Sequence, residues 1–288
     1  MIIEVRANNC FAFDKAISFS MKSDMRNKKF ASNVHKENEF NVLKVAGIYG
    51  SNNAGKTCLV RCIQAIKHML LNKPKDILPN LFTHNKICEL GITFLHNGKK
   101  YAYDFKYHAG KKVYIYERFA EIHKDEYGNE SEKEWLLRDT VGNKYTCLDA
   151  ALDGVISSLA GNSLLIHLID TSKFAKMDEL KTIVTAFANK IDIIRMNNIP
   201  IEKTIDLLKN HNNLQNKVVD FIKNADLYLE DFSYQEATKF KLNIDTKNKA
   251  EEHVLNLPDR VIDQICLTSV YKSIPVPSML FDSTGTKK

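Results

Sequence analysis

The amino-terminal half of the chain alternates apolar and polar positions in short runs, which predicts β-strands that are buried on one face. Two dipeptides typical of hairpin turns, Asn97-Gly98 and Ala109-Gly110, separate three of these runs. The sequence therefore predicts an antiparallel meander here, whereas the polar and charged residues 22–41 predict a loop. The predicted strands are 2–5, 17–21, 90–95, 101–107 and 113–122.

A different pattern occupies residues 42–70. The run 42–48 is apolar and rich in β-branched residues, which is typical of a buried parallel strand. From Leu59 to Leu70, apolar residues recur three and four positions apart, which predicts a helix. Two glycines, Gly50 and Gly55, lie between the two segments, so the predicted order is strand, glycine-containing loop and helix.

After Asp149 the apolar spacing becomes mainly helical, and strands are predicted again near the carboxyl end. The predicted helices are 152–159, 164–169, 180–191, 201–208 and 214–222, and the predicted strands are 228–234 and 265–271. The sequence thus predicts an α/β fold with a mixed sheet. Its three parts are a phosphate-loop and meander lobe (1–148), a helical lobe (149–224) and a set of return strands (225–288).

The loop before the helix predicted from Leu59 contains the sequence motif that most clearly indicates a biochemical function. It matches the phosphate-binding pattern G-x-x-x-x-G-K-[ST] without a mismatch, as Gly50-Ser51-Asn52-Asn53-Ala54-Gly55-Lys56-Thr57. In such a loop, backbone N–H groups and the helix N-terminus face the phosphates. Lys56 is predicted to reach the β- and γ-phosphates, Thr57 to bind Mg²⁺, and Cys58 to lie in the same first helical turn. The predicted ligands are therefore ATP and Mg²⁺.

Composition and charge limit the kinds of protein to which this chain can belong. The 288 residues suffice for a full core, and the net charge of +6 comes from basic residues that are not gathered in one run, so nucleic-acid contact is allowed but not indicated. The six cysteines lack the spacing of a metal site, which predicts reduced thiols in a cytoplasmic protein. No apolar stretch is long enough for a membrane span.

Three stretches together resemble a known family. The loop has the form G-x-N-x-[SA]-G-K-[ST] of ABC-type ATPases, including SMC-like repair ATPases. The first strand is followed by Asn9-Cys10-Phe11-Ala12-Phe13, as in those proteins. Near the end, Asp282-Ser283-Thr284-Gly285-Thr286-Lys287-Lys288 is similar to the ABC signature, in the form found in bacterial AAA-type ATPases of abortive-infection and anti-phage loci.

The resemblance implies an ABC-type ATPase head that dimerises head to tail on binding ATP. Ser283 and Gly285 of one subunit would then contact the γ-phosphate that Lys56 of the other subunit holds. It also implies a role in anti-phage defence, with an effector nuclease or toxin as a partner and no membrane. In the family, a Walker B strand with its catalytic carboxylates follows the signature. The chain ends at Lys288, so we expect an incomplete domain, and no catalytic residue is assigned.

Two alternatives remain open. The chain could be a nucleotide-binding partner subunit that does not hydrolyse ATP. It could also be a GTPase, because Asp139-Thr140-Val141-Gly142 matches D-x-x-G and Asn189-Lys190-Ile191-Asp192 matches the guanine-reading N-K-x-D. In a GTPase each element ends a buried strand. The helical spacing of 180–187 instead predicts that Asn189 ends a helix.

Overall fold

The computed structural model describes most of the amino-terminal two thirds of the chain and parts of the remainder. The described residues are 1–24, 30–74, 77–125, 127–194, 206, 216–217, 219–221, 230–234, 241–246, 249–254, 267–271 and 273–277. The chain divides into two compact units, Met1–Ile193 and Ile194–Lys288, and each is described by itself.

The first unit is built on an antiparallel sheet. Its strands are β1 (Ile2–Asn8), β2 (Ile17–Ser20), β3 (Val34–Glu37), β4 (Phe40–Leu43), β5 (Ile87–His96), β6 (Lys99–His108), β7 (Val113–Lys124), β8 (Glu130–Asp139) and β9 (Lys144–Cys147). Seven of them form one sheet in the order β2-β1-β5-β6-β7-β8-β9, with every neighbouring pair antiparallel. The predicted meander is confirmed as β5, β6 and β7. Strands β3 and β4 form a separate hairpin.

Helices cover one face of this sheet. They are α1 (Lys56–Leu70), α2 (Asp153–Ile156), α3 (Leu165–Leu168) and α4 (Ala175–Asn189), with short 3-10 turns at Ala31–Asn33, Ala150–Leu152 and Thr171–Lys173. The alternation along β5 and β6 places aromatic side chains on the covered face, where they join one core with the helices. Phe187 of α4 stacks on Phe94 of β5, with ring centroids 3.9 Å apart.

The predicted parallel strand at 42–48 is wrong. Strand β4 ends at Leu43 and pairs antiparallel with β3, and the residues after it have no strand structure. Val45 is 69% exposed and Tyr49 is 93% exposed. One reason lies at Asn33, whose side chain accepts a hydrogen bond from Val45 N at 2.8 Å and donates one to Val45 O at 3.0 Å. These bonds use the backbone groups that a neighbouring strand would need.

The predicted loop at 22–41 is also partly wrong, because it contains β3 and the start of β4. Phe40 and Val42 alternate with polar residues, and both pack with Ile3 and Leu95 in a small second apolar cluster. The signal was short, since the strand has only four residues. The expected mixed sheet is likewise not seen, because every strand pair among the described residues is antiparallel.

The helical region up to Ile193 belongs to the first unit and packs on its sheet. Its longest helix, α4, confirms the helix predicted around 180–191. The second unit contains β10 (Asp231–Tyr234), β11 (Lys241–Thr246), β12 (Lys249–Val254), β13 (Leu267–Tyr271) and β14 (Ile274–Pro277). Strands β10, β13 and β14 form a sheet, and β11 and β12 form a hairpin. The strands predicted near 228–234 and 265–271 correspond to β10 and β13.

Candidate nucleotide-binding site

The predicted phosphate-binding loop leads directly into α1. Residues 51–55 form turns and bends, and the helix begins at Lys56. Asn53 and Gly55 have left-handed backbones, with φ of 64° and 88°. Glycine adopts this conformation without strain, and asparagine tolerates it better than most residues. The predicted loop-to-helix junction is therefore present, although the strand expected before it is not.

Lys56 folds over this loop. Its Nζ donates hydrogen bonds to the backbone oxygens of Gly50 at 2.7 Å and Ser51 at 2.6 Å. Ala54 N also donates to Ser51 O, at 3.3 Å, which closes the turn. Among the described residues, the ammonium is thus held at the loop by neutral carbonyls alone. An anion brought to the same place would offer it a stronger, charge-assisted partner.

The start of α1 offers further donors. The first hydrogen bond of the helix runs from Leu59 N to Gly55 O at 3.1 Å, so the amides of Lys56, Thr57 and Cys58 precede the helical hydrogen-bond ladder. No side chain of the described residues caps this end, and its first turn contains no acidic residue. A 15-residue helix with these features favours an anion at its N-terminus. Thr57 is exposed there, so its hydroxyl is accessible.

A turn from the first strand holds the loop from one side. Cys10 N and Phe13 O, and Phe13 N and Cys10 O, are hydrogen-bonded at 3.0 and 2.9 Å. The Phe13 ring lies so close to Gly55 that a Cβ on that glycine would be 3.1 Å from the ring. Gly55 is thus required both by its backbone angle and by this contact. The sequence alone does not indicate this contact of Phe13 with Gly55, because the two residues are 42 positions apart.

The same turn packs against the helix. The guanidinium of Arg61 lies 4.2 Å from the centroid of the Phe11 ring, and Phe11 is itself buried. Cys10 and Cys62 are fully buried near this contact, and burial raises the pKa of the Cys62 thiol to about 12. Cys58 is half-buried on the same helix. Cys10, Cys58 and Cys62 all carry free thiols, and burial keeps those of Cys10 and Cys62 protonated.

Two features are absent from the described residues: a cluster of metal ligands and a membrane-spanning helix. Among them, no cluster of three or more histidine, cysteine or acidic side chains is arranged to hold a metal ion. The described helices include none with the length and apolar character that crossing a membrane needs. The signature residues Ser283 and Gly285 lie outside the described residues, so their predicted roles stay predictions.

The two GTPase elements occupy ordinary structural positions. Asp139 ends β8, and its Oδ1 accepts hydrogen bonds from the N–H groups of Val141 at 3.1 Å and Gly142 at 2.9 Å. This arrangement shapes the turn into β9. Asn189 is the last residue of helix α4 rather than the end of a strand. The geometry therefore does not favour guanine recognition by this segment.

Two comparisons with known proteins identify no relative of this chain. A scan of protein-family models finds no match to this chain. A search of curated proteins likewise finds none. Nucleotide binding by this chain is therefore inferred from its own residues and their geometry.

Proposed function

We propose that the chain binds Mg·ATP through the loop Gly50–Thr57. One observation carries this proposal: the Lys56 ammonium, the uncapped amides of α1 and the left-handed backbone at Gly55 converge on one short loop. Each of these features favours a phosphate, and their order along the chain is the order of the phosphate-binding pattern. Thr57 would hold the metal ion, and Cys58 would border the phosphates in the first turn.

The wider role follows from the family resemblance. It makes the chain an ABC-type ATPase that acts as a nucleotide-driven dimerisation switch, with Ser283 and Gly285 reaching the γ-phosphate of the opposite subunit. A role in prokaryotic anti-phage or abortive-infection defence rests on the same resemblance, as analogy. An effector nuclease or toxin would then be controlled by whether the chain is a monomer or a dimer.

The test is a titration of the full chain with fluorescent ATP and GTP in the presence of Mg²⁺. Lys56→Ala should weaken ATP binding at least about tenfold, because a hydrogen bond to a charged group contributes roughly 1.5–3 kcal/mol. Lys44→Ala is the matched control, since Lys44 is an exposed lysine that also bonds a backbone oxygen, that of Ser32, at 2.7 Å. Equal ATP affinity in the wild type and Lys56→Ala, with both folded, would refute the site.

Turnover is measured separately, as phosphate release at saturating ATP. Release that disappears in Lys56→Ala would identify an ATPase. Binding without release would identify the nucleotide-binding subunit that the sequence leaves open as an alternative. Phosphoryl transfer needs positioning of the attacking water as well as charge stabilisation, so binding alone does not imply it.

A further inference from the structure

Two buried cysteines meet where the first strand of the sheet ends. Cys10 and Cys88 are 0% and 1% exposed, and both belong to the core between the sheet and the helices. Cys88 lies on β5, and Cys10 follows β1, which pairs antiparallel with β5 through Asn8 and Glu89. The two cysteines are therefore distant in sequence but close together across neighbouring strands.

Asn9 directs Cys10 toward Cys88. Its backbone is left-handed, with φ of 51°, directly after the last residue of β1, so the alternation of the strand is interrupted and Cys10 faces the core. The Asn9 side chain is buried, and its Nδ2 donates hydrogen bonds to the backbone oxygens of Asn85 and Ile87, both at 2.9 Å. Because Ile87 directly precedes Cys88, these bonds hold Cys10 beside the start of β5.

The two sulfur atoms are also in contact. The Cys10 Sγ lies 3.2 Å from Asn8 O and 3.4 Å from Glu89 O, and Glu89 is the chain neighbour of Cys88. The thiols of Cys10 and Cys88 are hydrogen-bonded to each other. A disulfide requires cysteines on backbone segments that lie close together, and this pair meets that requirement.

The contact makes the two thiols chemically unequal. The hydrogen bond from Cys10 lowers the pKa of Cys88, although burial opposes this shift, whereas the same contact and burial raise the pKa of Cys10. The thiolate is the form of cysteine that attacks an electrophile. Cys88 is thus suited to be the nucleophile of the pair, and Cys10 to react with the oxidised Cys88.

We propose that Cys10 and Cys88 form a redox modification site, at which a peroxide converts the two thiols into a disulfide. The Cys88 thiolate attacks one oxygen of the peroxide and becomes a sulfenic acid, while the O–O bond breaks and the other oxygen leaves as hydroxide or alkoxide. The Cys10 sulfur then attacks the sulfenic sulfur, gives up its proton and releases water. The two thiols lose two electrons in total, which reduce one peroxide molecule.

The modification needs no nucleotide, so it is independent of the proposed function. The disulfide would close a segment of chain that includes α1. Because closing a long segment restricts the unfolded chain, the oxidised protein should unfold at a higher urea concentration than the reduced protein. A midpoint at or below that of the reduced protein would contradict a site whose geometry is already formed.

The experiment exposes the full 288-residue chain, reduced beforehand, to hydrogen peroxide under native conditions. Intact mass and non-reducing peptide mapping should show a loss of two hydrogen atoms and a link between Cys10 and Cys88. A dithiol reductant should restore the original mass, because a disulfide is reversible whereas a sulfinic acid is not. The same treatment in urea should give a mixture of links among the six cysteines, because the native contact is lost.

Two variants and one matched control assign the roles of the cysteines. Cys10→Ser leaves Cys88 without a thiol to react with, so its sulfenic acid should accumulate and be labelled by dimedone. Cys88→Ser should lose both the link and this label. The control is Cys147→Ser, which removes a half-buried free thiol on β9 and should form the link like the wild type.

Two results with the wild type would overturn the proposal. One is the absence of a link between Cys10 and Cys88 in native protein whose half-buried Cys58 or Cys147 is oxidised. The other is a mixture of links in the native protein that equals the mixture formed in urea. Neither result depends on whether a variant folds.

Discussion

Replacing Arg138 with methionine tests how the sheet of the first unit is joined to the segment before α3. Arg138 and Glu117 are both fully buried, and Nη2 of Arg138 lies 2.9 Å from Oε2 of Glu117. The same Nη2 donates to Ser163 O at 2.9 Å. On the other side, Glu117 accepts from the Tyr103 hydroxyl at 2.7 Å and from Leu165 N at 3.1 Å. The pair thus joins β7 and β8 to residues 163–165.

The expected loss of stability in Arg138→Met follows from the burial of the ion pair. Removal of one partner of a buried ion pair costs about 3–5 kcal/mol, because the remaining charge loses its compensation. Burial already raises the pKa of Glu117, and Arg138 partly offsets that rise. In Arg138→Met the offset is gone, so the pKa of Glu117 should rise further. The folded variant would then bind a proton that the unfolded chain does not.

This gives the destabilisation a pH dependence with a definite sign. Between the ordinary pKa of glutamate, about 4.3, and its raised value in the fold, the folded state binds more protons than the unfolded state. Stability therefore falls as pH rises through that window. The difference in free energy of unfolding between the wild type and Arg138→Met should be smaller at pH 5 than at pH 8, because at pH 8 Glu117 of the variant is charged and lacks its cationic partner.

The assay is urea unfolding, monitored by the fluorescence of Trp135, the single tryptophan, which is buried on β8 three residues before Arg138. Arg118→Met is the matched control. Arg118 lies on β7 in partly exposed ion pairs with Glu132 and Glu134, which should contribute no more than about 1 kcal/mol. If Arg138→Met loses as little free energy of unfolding as the control does, or loses the same amount at pH 5 and at pH 8, the reasoning is refuted.

Two further substitutions test the site and the core. Gly55→Ala should abolish ATP binding and lower the free energy of unfolding by about 1–3 kcal/mol, because the left-handed backbone and the Phe13 ring both oppose a side chain. The control Gly154→Ala, with no atom within 4 Å of its added Cβ, should leave ATP binding unchanged in the same titration and should not destabilise the chain in urea, because alanine is favoured over glycine in helix α2. Phe187→Ala should cost about 3–5 kcal/mol in urea unfolding, because its ring is buried and stacked on Phe94. A loss under about 1 kcal/mol would show that this stacking contributes little.

The meander could be predicted because its signal is local. Strands β5 to β7 alternate apolar and polar residues, and a turn dipeptide such as Asn97-Gly98 marks where the chain reverses. The helix α1 was predictable for the same reason, since its buried residues recur at helical spacing. The loop that joins these elements was recognised from residue identity alone, because glycine, lysine and threonine at fixed positions serve a fixed chemistry.

Other features depend on contacts between distant residues. The sequence of an apolar run such as 42–48 does not show whether the run is buried, because burial depends on the residues that pack against it. Here the side chain of Asn33, rather than a parallel strand, forms hydrogen bonds with the backbone N and O of Val45. The pair of Glu117 with Arg138 and the bonds of Asn9 to residues 80–87 have no periodic signal. Their consequence, a set of buried polar contacts that holds residues 80–87 and 163–165, therefore appears only in three dimensions.

The place of β1 in the sheet also has a consequence for biosynthesis. Ala7 pairs with Leu90, so the first strand acquires this neighbour only after the loop Gly50–Thr57 and α1 have left the ribosome. Closing so long a segment makes the pairing slow relative to helix formation. Asn9, at the end of that strand, can anchor residues 80–87 only after this step. A nascent chain would thus expose a formed α1 before the scaffold beside it exists, and nucleotide binding should appear late in synthesis.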